Sequence, residues 1–117
     1  MSQAATISTH VLDTALGAPA ANIAVTLERV DERGATVPIS TGVTNADGRV
    51  PSLALNGASL PGGTYRLRFQ VADYFAATKR ETCYVAICVD FKVHADPQHY
   101  HVPLLLSPFG YSTYRGS

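Results

Sequence analysis

The chain has 117 residues, enough for one domain spanning 1–117, and 46% of them are apolar, as a packed globular core requires. Nine basic side chains balance nine acidic ones, so the sequence lacks the positive footprint that binds phosphate backbones or anionic membranes. Nucleic acid and membrane surfaces are therefore not expected partners, and no run approaches the roughly 20 apolar residues that span a bilayer.

In chain order, a first strand is predicted over Thr6 to Asp13, followed by a turn at Gly17-Ala18-Pro19. Ile23, Val25 and Leu27 then alternate on one strand face, and Asp31-Glu32-Arg33-Gly34 turns the chain into a strand over Thr36 to Thr44. Asn45-Ala46-Asp47-Gly48 and Leu60-Pro61-Gly62-Gly63 are further turns. Tyr65, Leu67, Phe69 and Val71 share a face of the next strand. Asp73 to Glu81 has the composition of a short helix, and the last strands are predicted over Val85 to Val93 and His99 to Leu106. The repeated strand and turn rhythm indicates an all-β, antiparallel two-sheet sandwich with one short helix.

Cys83 and Cys88 lie five residues apart in what reads as one strand, so they point to opposite faces and are poorly placed to pair. Free thiols fit a reducing compartment, and the simplest role for both is that of small, half-buried residues. Without a Cys-x-x-Cys motif or a Cys/His ladder, no structural zinc site is expected. Residues Met1 to Thr9 show neither a basic start nor an apolar signal core. The expected compartment is therefore the cytoplasm, with periplasm and peroxisome less favoured; Arg115-Gly116-Ser117 is no Ser-Lys-Leu address.

Candidate chemistry centres on the four histidines. His10 lies within the first strand, and His94 precedes a turn as a solvated loop residue. His99 and His101 flank Tyr100, so both leave the same strand face roughly 6.5 to 7 Å apart. Such a pair can offer two ligands to zinc or copper but needs a third from elsewhere, and alone it is a weak metal signal. The other chemistry open to it is acid/base work on water near neutral pH. Arg49 follows a turn directly into a strand, where a guanidinium can hold a carbonyl or oxyanion, although an exposed arginine is the plainer reading. The chain closes on Tyr114-Arg115-Gly116-Ser117 after the apolar run Val102-Pro103-Leu104-Leu105-Leu106. Chain ends usually fray and carry small polar residues without aromatics, so a tail with Tyr111 and Tyr114 is expected to be docked.

These features together carry a resemblance. Ser8-Thr9-His10-Val11-Leu12-Asp13, Thr44-Asn45-x-Asp47-Gly48-Arg49, Tyr74-Phe75, and the run from His99-Tyr100-His101 to Tyr114-Arg115-Gly116-Ser117 resemble the 5-hydroxyisourate hydrolases, the transthyretin-related enzymes of urate breakdown. The match covers nearly the whole chain, and the Tyr-Arg-Gly-Ser tail is its most specific part. The resemblance implies a prealbumin-like sandwich of eight strands and a homotetramer, a dimer of dimers with active sites in its central channel. It also implies hydrolysis of 5-hydroxyisourate to 2-oxo-4-hydroxy-4-carboxy-5-ureidoimidazoline without a cofactor or metal. Carried over by position, His10, Arg49, His101 and Ser117 are the catalytic set, and His10, Arg49, Tyr114 and Arg115 contact the substrate. His99 is left as a flanking or exposed residue. One departure stands out: Cys83-Tyr84-Val85 replaces the aromatic pair and proline usual after the helix, which puts local strand geometry in question.

Two other classes compete. A non-catalytic, transthyretin-like carrier would use the same channel, but a carrier of hydrophobic ligands has no need of two histidines and an arginine at one small site. An immunoglobulin-like adhesion module would leave the tail unexplained.

Overall fold

The computed structural model describes residues 6–53, 60–95 and 98–116. Strand β1 (Thr6–Asp13) shows the alternation that organises the molecule: Ile7, Thr9, Val11 and Asp13 are fully buried, whereas Thr6, His10 and Leu12 are only partly covered. One face of β1 thus belongs to the core and the other looks outward.

Strand β1 is the centre of a six-stranded sheet. Along one edge it pairs antiparallel with two short strands, β2 (Ala18–Pro19) and β5 (Arg49–Val50). Along the other it pairs with β8 (His99–His101) and β9 (Leu104–Ser107), and β10 (Gly110–Thr113) continues beyond β9. The second sheet has the order β4 (Thr36–Val43), β3 (Ala24–Val30), β6 (Gly63–Phe69), β7 (Ile87–Val93), with every neighbour antiparallel. Leu27, Leu67 and Phe69 from this sheet meet Ile7, Val11, Leu104 and Leu106 from the first, all fully buried in one core cluster.

The two-sheet sandwich is the predicted one, but in place of the eight strands the resemblance implies, the described residues form ten, six in one sheet and four in the other. The pairing of β1 with β8 and β9 is parallel. Local turns impose antiparallel hairpins, but β1 and β8 are joined by most of the chain, and no turn sets their direction. The run predicted as one strand over His99 to Leu106 is two, broken at Val102-Pro103. Register is kept across the gap, Ser8 opposite His101 and Val11 opposite Leu104. Pro103 has no N–H to give the ladder, and the Thr9 hydroxyl donates to the Val102 carbonyl at 2.6 Å.

Helix α1 spans Val71–Ala77, earlier than predicted, so Val71 is buried as its first residue and not as the last of β6. The helix stops because Thr78 turns its hydroxyl back to the carbonyls of Tyr74 and Phe75, and Lys79 takes a left-handed φ of 58°. That turn delivers Arg80 to Asp13. The fully buried Asp13 carboxylate accepts from Arg80 Nη2 at 2.6 Å, the Tyr74 hydroxyl at 2.7 Å and the Leu16 amide at 3.1 Å. Burial alone would raise the Asp13 pKa, but the donors from Arg80, Tyr74 and Leu16 outweigh it and hold the carboxyl below its usual range. Burial and the same carboxylate push the Tyr74 phenol up to about 12.

Cys83 precedes β7 instead of lying in it, and both cysteines are free and exposed, which corrects the half-buried placement. The departure at Cys83-Tyr84-Val85 is absorbed by backbone bonds: the Cys83 amide donates to Pro108 and the Val85 carbonyl accepts from Ala72.

Candidate active site

The outward face of β1 gathers the chemistry. His10 stands directly opposite Arg49 of β5, and Ser8 directly opposite His101 of β8, so all four side chains leave the same face of the sheet. Arg49 is placed there by its turn. The Asn45 side-chain oxygen accepts from the Asp47 and Arg49 amides at 2.9 and 3.0 Å, and the Asn45 amide donates to the Arg49 carbonyl at 3.0 Å. Gly48 has φ 75° and packs so closely under β1 that a Cβ would be driven into the Val11 carbonyl.

Ser8, Thr9, Arg49, Pro51, His99 and His101 line a concavity of about 260 Å³ on this face, and His10 stands on the same face beside Arg49. His101 is partly buried, and its pKa lies below the usual 6.5 because burial disfavours the imidazolium, reinforced by the positive charge of Arg49 and by neighbouring His99 and His10. The ring is therefore neutral near pH 7 and able to accept a proton. The rings of His99 and His101 lie nearly parallel with centroids 6.4 Å apart. Among the described residues no group of three or more His, Cys, Asp or Glu is placed to hold a metal ion.

The tail is held through Arg115 and the Gly116 backbone, whereas Tyr111 and Tyr114, on which the expectation of docking rested, are exposed. Gly116 bridges to His101, its amide donating to the His101 carbonyl at 2.8 Å, so β8 lies between β1 and the tail. Arg115 donates to Gln98 Oε1 at 2.9 Å, and its guanidinium carbon lies 4.9 Å from the centre of the Tyr100 ring. Tyr100 alternates with the two histidines and points to the opposite face of the sheet. Consequently the structure brings His10, Arg49 and His101 together, but within the chain it does not bring Tyr114 and Arg115 to them. Those two line a second concavity of about 270 Å³ with Val89, Phe91 and Tyr100. Ser117 lies outside the described residues.

Sequence reasoning missed Ser8, whose hydroxyl contacts both His99 and His101. Only its parity with His10 on β1 could have signalled it. It also missed Gly116 as a packing partner of the His101 ring.

A two-sheet sandwich of this strand order defines a member of the transthyretin class of folds, here with two histidines and an arginine on one outward face. The chain belongs to the HIUase/Transthyretin family, whose pattern it matches over residues 7–116. Among its relatives, 5-hydroxyisourate hydrolase 2 of Rhizobium meliloti is 46% identical, with all of both chains covered. The solved structure of Klebsiella pneumoniae 5-hydroxyisourate hydrolase superposes with a TM-score of 0.81 at 38% identity, covering 100% of this chain and 97% of that one. Sea bream transthyretin in complex with thyroxine superposes equally well, with a TM-score of 0.82 at 30% identity over 94% of this chain and 93% of that one. Fold alone therefore does not separate enzyme from carrier, and the side chains at the site must.

Proposed function

We propose that this chain is a 5-hydroxyisourate hydrolase of urate breakdown, opening the cyclic amide of its substrate with an activated water. The observation that carries the reading is the convergence of His10, Arg49 and His101 on one outward face of the sheet around β1. The near-full-length similarity to curated 5-hydroxyisourate hydrolases supports it.

In the reaction, water adds to the ring carbonyl, the carbon–nitrogen bond breaks, and the departing nitrogen takes up the proton that the water gave. His101, held neutral, is the group that removes and returns that proton. His10 positions the water, and Arg49 directs its fixed donors at the carbonyl oxygen as negative charge develops there. Ser117 completes this set through the family resemblance. No nucleophilic serine or cysteine, metal or cofactor takes part.

The assembly we infer is a homotetramer, a dimer of dimers. Among the described residues the edge strands β7 and β10 end their sheets without a neighbour, and Val85, Phe109, Tyr111 and Tyr114 are exposed nearby. A second copy laid over the outward face of β1 would cover the open concavity and exclude water from it. In that assembly Tyr114 and Arg115 reach substrate only from a neighbouring copy. The compartment of this reading is the cytoplasm, in keeping with two free, exposed thiols.

The test follows the ultraviolet absorbance of freshly generated 5-hydroxyisourate with the wild-type protein, His101→Asn and a deletion of Tyr114 to Ser117. Acceleration that both variants lose supports the hydrolase. Decay at the spontaneous rate with folded wild-type protein overturns it and leaves the carrier reading, which the similarity to transthyretin favours.

A further inference from the structure

Four side chains on the outward face form one unbroken hydrogen-bonded row. Thr6 Oγ1 lies 2.5 Å from His99 Nδ1, His99 Nε2 lies 2.9 Å from Ser8 Oγ, and Ser8 Oγ lies 2.8 Å from His101 Nδ1. The row is built by register, because Thr6 stands opposite His99 and Ser8 opposite His101 in the parallel pairing. We propose that Thr6, His99 and Ser8 are a proton relay that sets which ring nitrogen of His101 carries hydrogen, making His99 a positioning residue for the reaction. The proposal rests on His101 exchanging a proton with the reacting water.

Each hydroxyl has one hydrogen to donate and two lone pairs, so there are two arrangements in which every hydrogen bond of the row runs in the same direction. In the first, His101 Nδ1–H donates to Ser8, the Ser8 hydroxyl donates to His99 Nε2, and His99 Nδ1–H donates to Thr6. His101 Nε2 is then bare and serves as the base. In the second every donor is reversed, and His101 carries its hydrogen on Nε2 as a neutral acid. Passing from the first to the second moves one proton onto Nε2 and, by successive transfers through Ser8 and His99, releases one from the Thr6 hydroxyl, where the row reaches the solvent-facing end of β8. The reverse shift accompanies protonation of the departing nitrogen. Protons balance at both ends, and His101 accumulates no charge.

A His101 that stays neutral resolves a conflict within the site. Arg49 must stay cationic to stabilise the developing oxyanion, yet it faces His101 from β5 while His10 faces it from β1. An imidazolium beside a guanidinium is disfavoured, and a relay that exports the proton avoids it. The other cation near the row, Arg115 of the tail, reaches the His99 carbonyl at 3.4 Å and not the ring.

The test combines nitrogen-15 NMR of histidine-labelled protein with steady-state kinetics for wild type, Ser8→Ala, His99→Phe and Ser8→Thr. His99→Phe keeps a flat ring beside His101 but removes both hydrogen bonds. Expected are a single neutral tautomer of His101 in wild type and mixed tautomers in Ser8→Ala and His99→Phe. In those two variants kcat falls at least tenfold with KM within twofold, and Ser8→Thr restores both readouts. Unchanged His101 tautomer in the two disrupting variants, or kcat within twofold of wild type, overturns the relay. Wild-type protein inactive on 5-hydroxyisourate would instead overturn the hydrolase reading, while the tautomer measurement would still decide whether the row controls His101.

Discussion

Gly116 lies against the imidazole of His101, so closely that a Cβ on residue 116 would sit 2.5 Å from His101 Cδ2 and 3.3 Å from Cγ. The absence of a side chain lets the tail backbone brace the ring from the side away from β1. Gly116→Ala is therefore expected to displace the ring or lift the tail. A displacement near 1 Å costs about 100-fold in rate, whereas stability should change by less than about 1 kcal/mol at so peripheral a position. Kinetics beside a thermal melt check this; an active Gly116→Ala variant would show that the contact does not position the ring.

Arg49 lowers the proton affinity of His101, and in the proposed reaction it also holds the oxyanion. Arg49→Ala should lower kcat about 100- to 1000-fold, as loss of an oxyanion donor does. It should also raise the His101 pKa toward 6.5, because the guanidinium is one of the groups holding it down. Titration of His101 by NMR separates the two effects, and a pKa that stays put would remove Arg49 from its surroundings.

The depressed His101 pKa sets the sign of the pH response. The folded protein holds fewer protons on this ring than the unfolded chain between the folded value and 6.5, so stability contributed by His101 falls as pH drops through that window. Activity that needs the neutral ring should be level at pH 7 and decline on acidification with a midpoint below 6.5. A midpoint above 6.5 in kcat/KM, which reports the free enzyme, would exclude His101 as the base.

Asp13 governs a more acidic range. Its folded pKa is lowered from 3.8, so the stability it supplies is present above that value and is lost as pH falls through the folded one. Asp13→Asn leaves the partly buried Arg80 without its counter-ion and should cost about 3 kcal/mol at pH 7. Urea unfolding at pH 7 and pH 3 should show this difference shrinking in acid, and an equal difference at both would deny that the carboxylate charge matters.

Assembly is testable by mass. The proposed tetramer requires a species of four times 12.4 kDa in solution, and Tyr111→Glu, which places charge on the exposed edge strand β10, should shift it toward smaller species.

Much of this was legible in the residues. Period-two alternation placed Ile23, Val25 and Leu27 in the core, and the turn at Asn45-Ala46-Asp47-Gly48 announced the strand that carries Arg49. The parity of His99 and His101 held. The pairing of β1 with β8 was not legible, because local pattern says nothing about which strands meet across most of a chain. Without that pairing Ser8 is an ordinary strand serine. Sequence parity assigns Val71 to a strand because a buried valine at the right parity looks the same whether it ends a strand or begins a helix. The resemblance makes Arg115 a substrate contact; only the structure shows its guanidinium over Tyr100 and bonded to Gln98.

The parallel union of β1 with β8 also orders events during synthesis. The sheet β4-β3-β6-β7 draws only on residues 24–93 and can close as soon as residue 93 is available. The reacting face cannot, for it joins Thr6–Asp13 to His99–His101 and then to Gly116. A nascent chain thus possesses half a sandwich well before it possesses the proposed site, and β1, which can pair early with β2 and β5, must wait on its other edge for a partner made almost last.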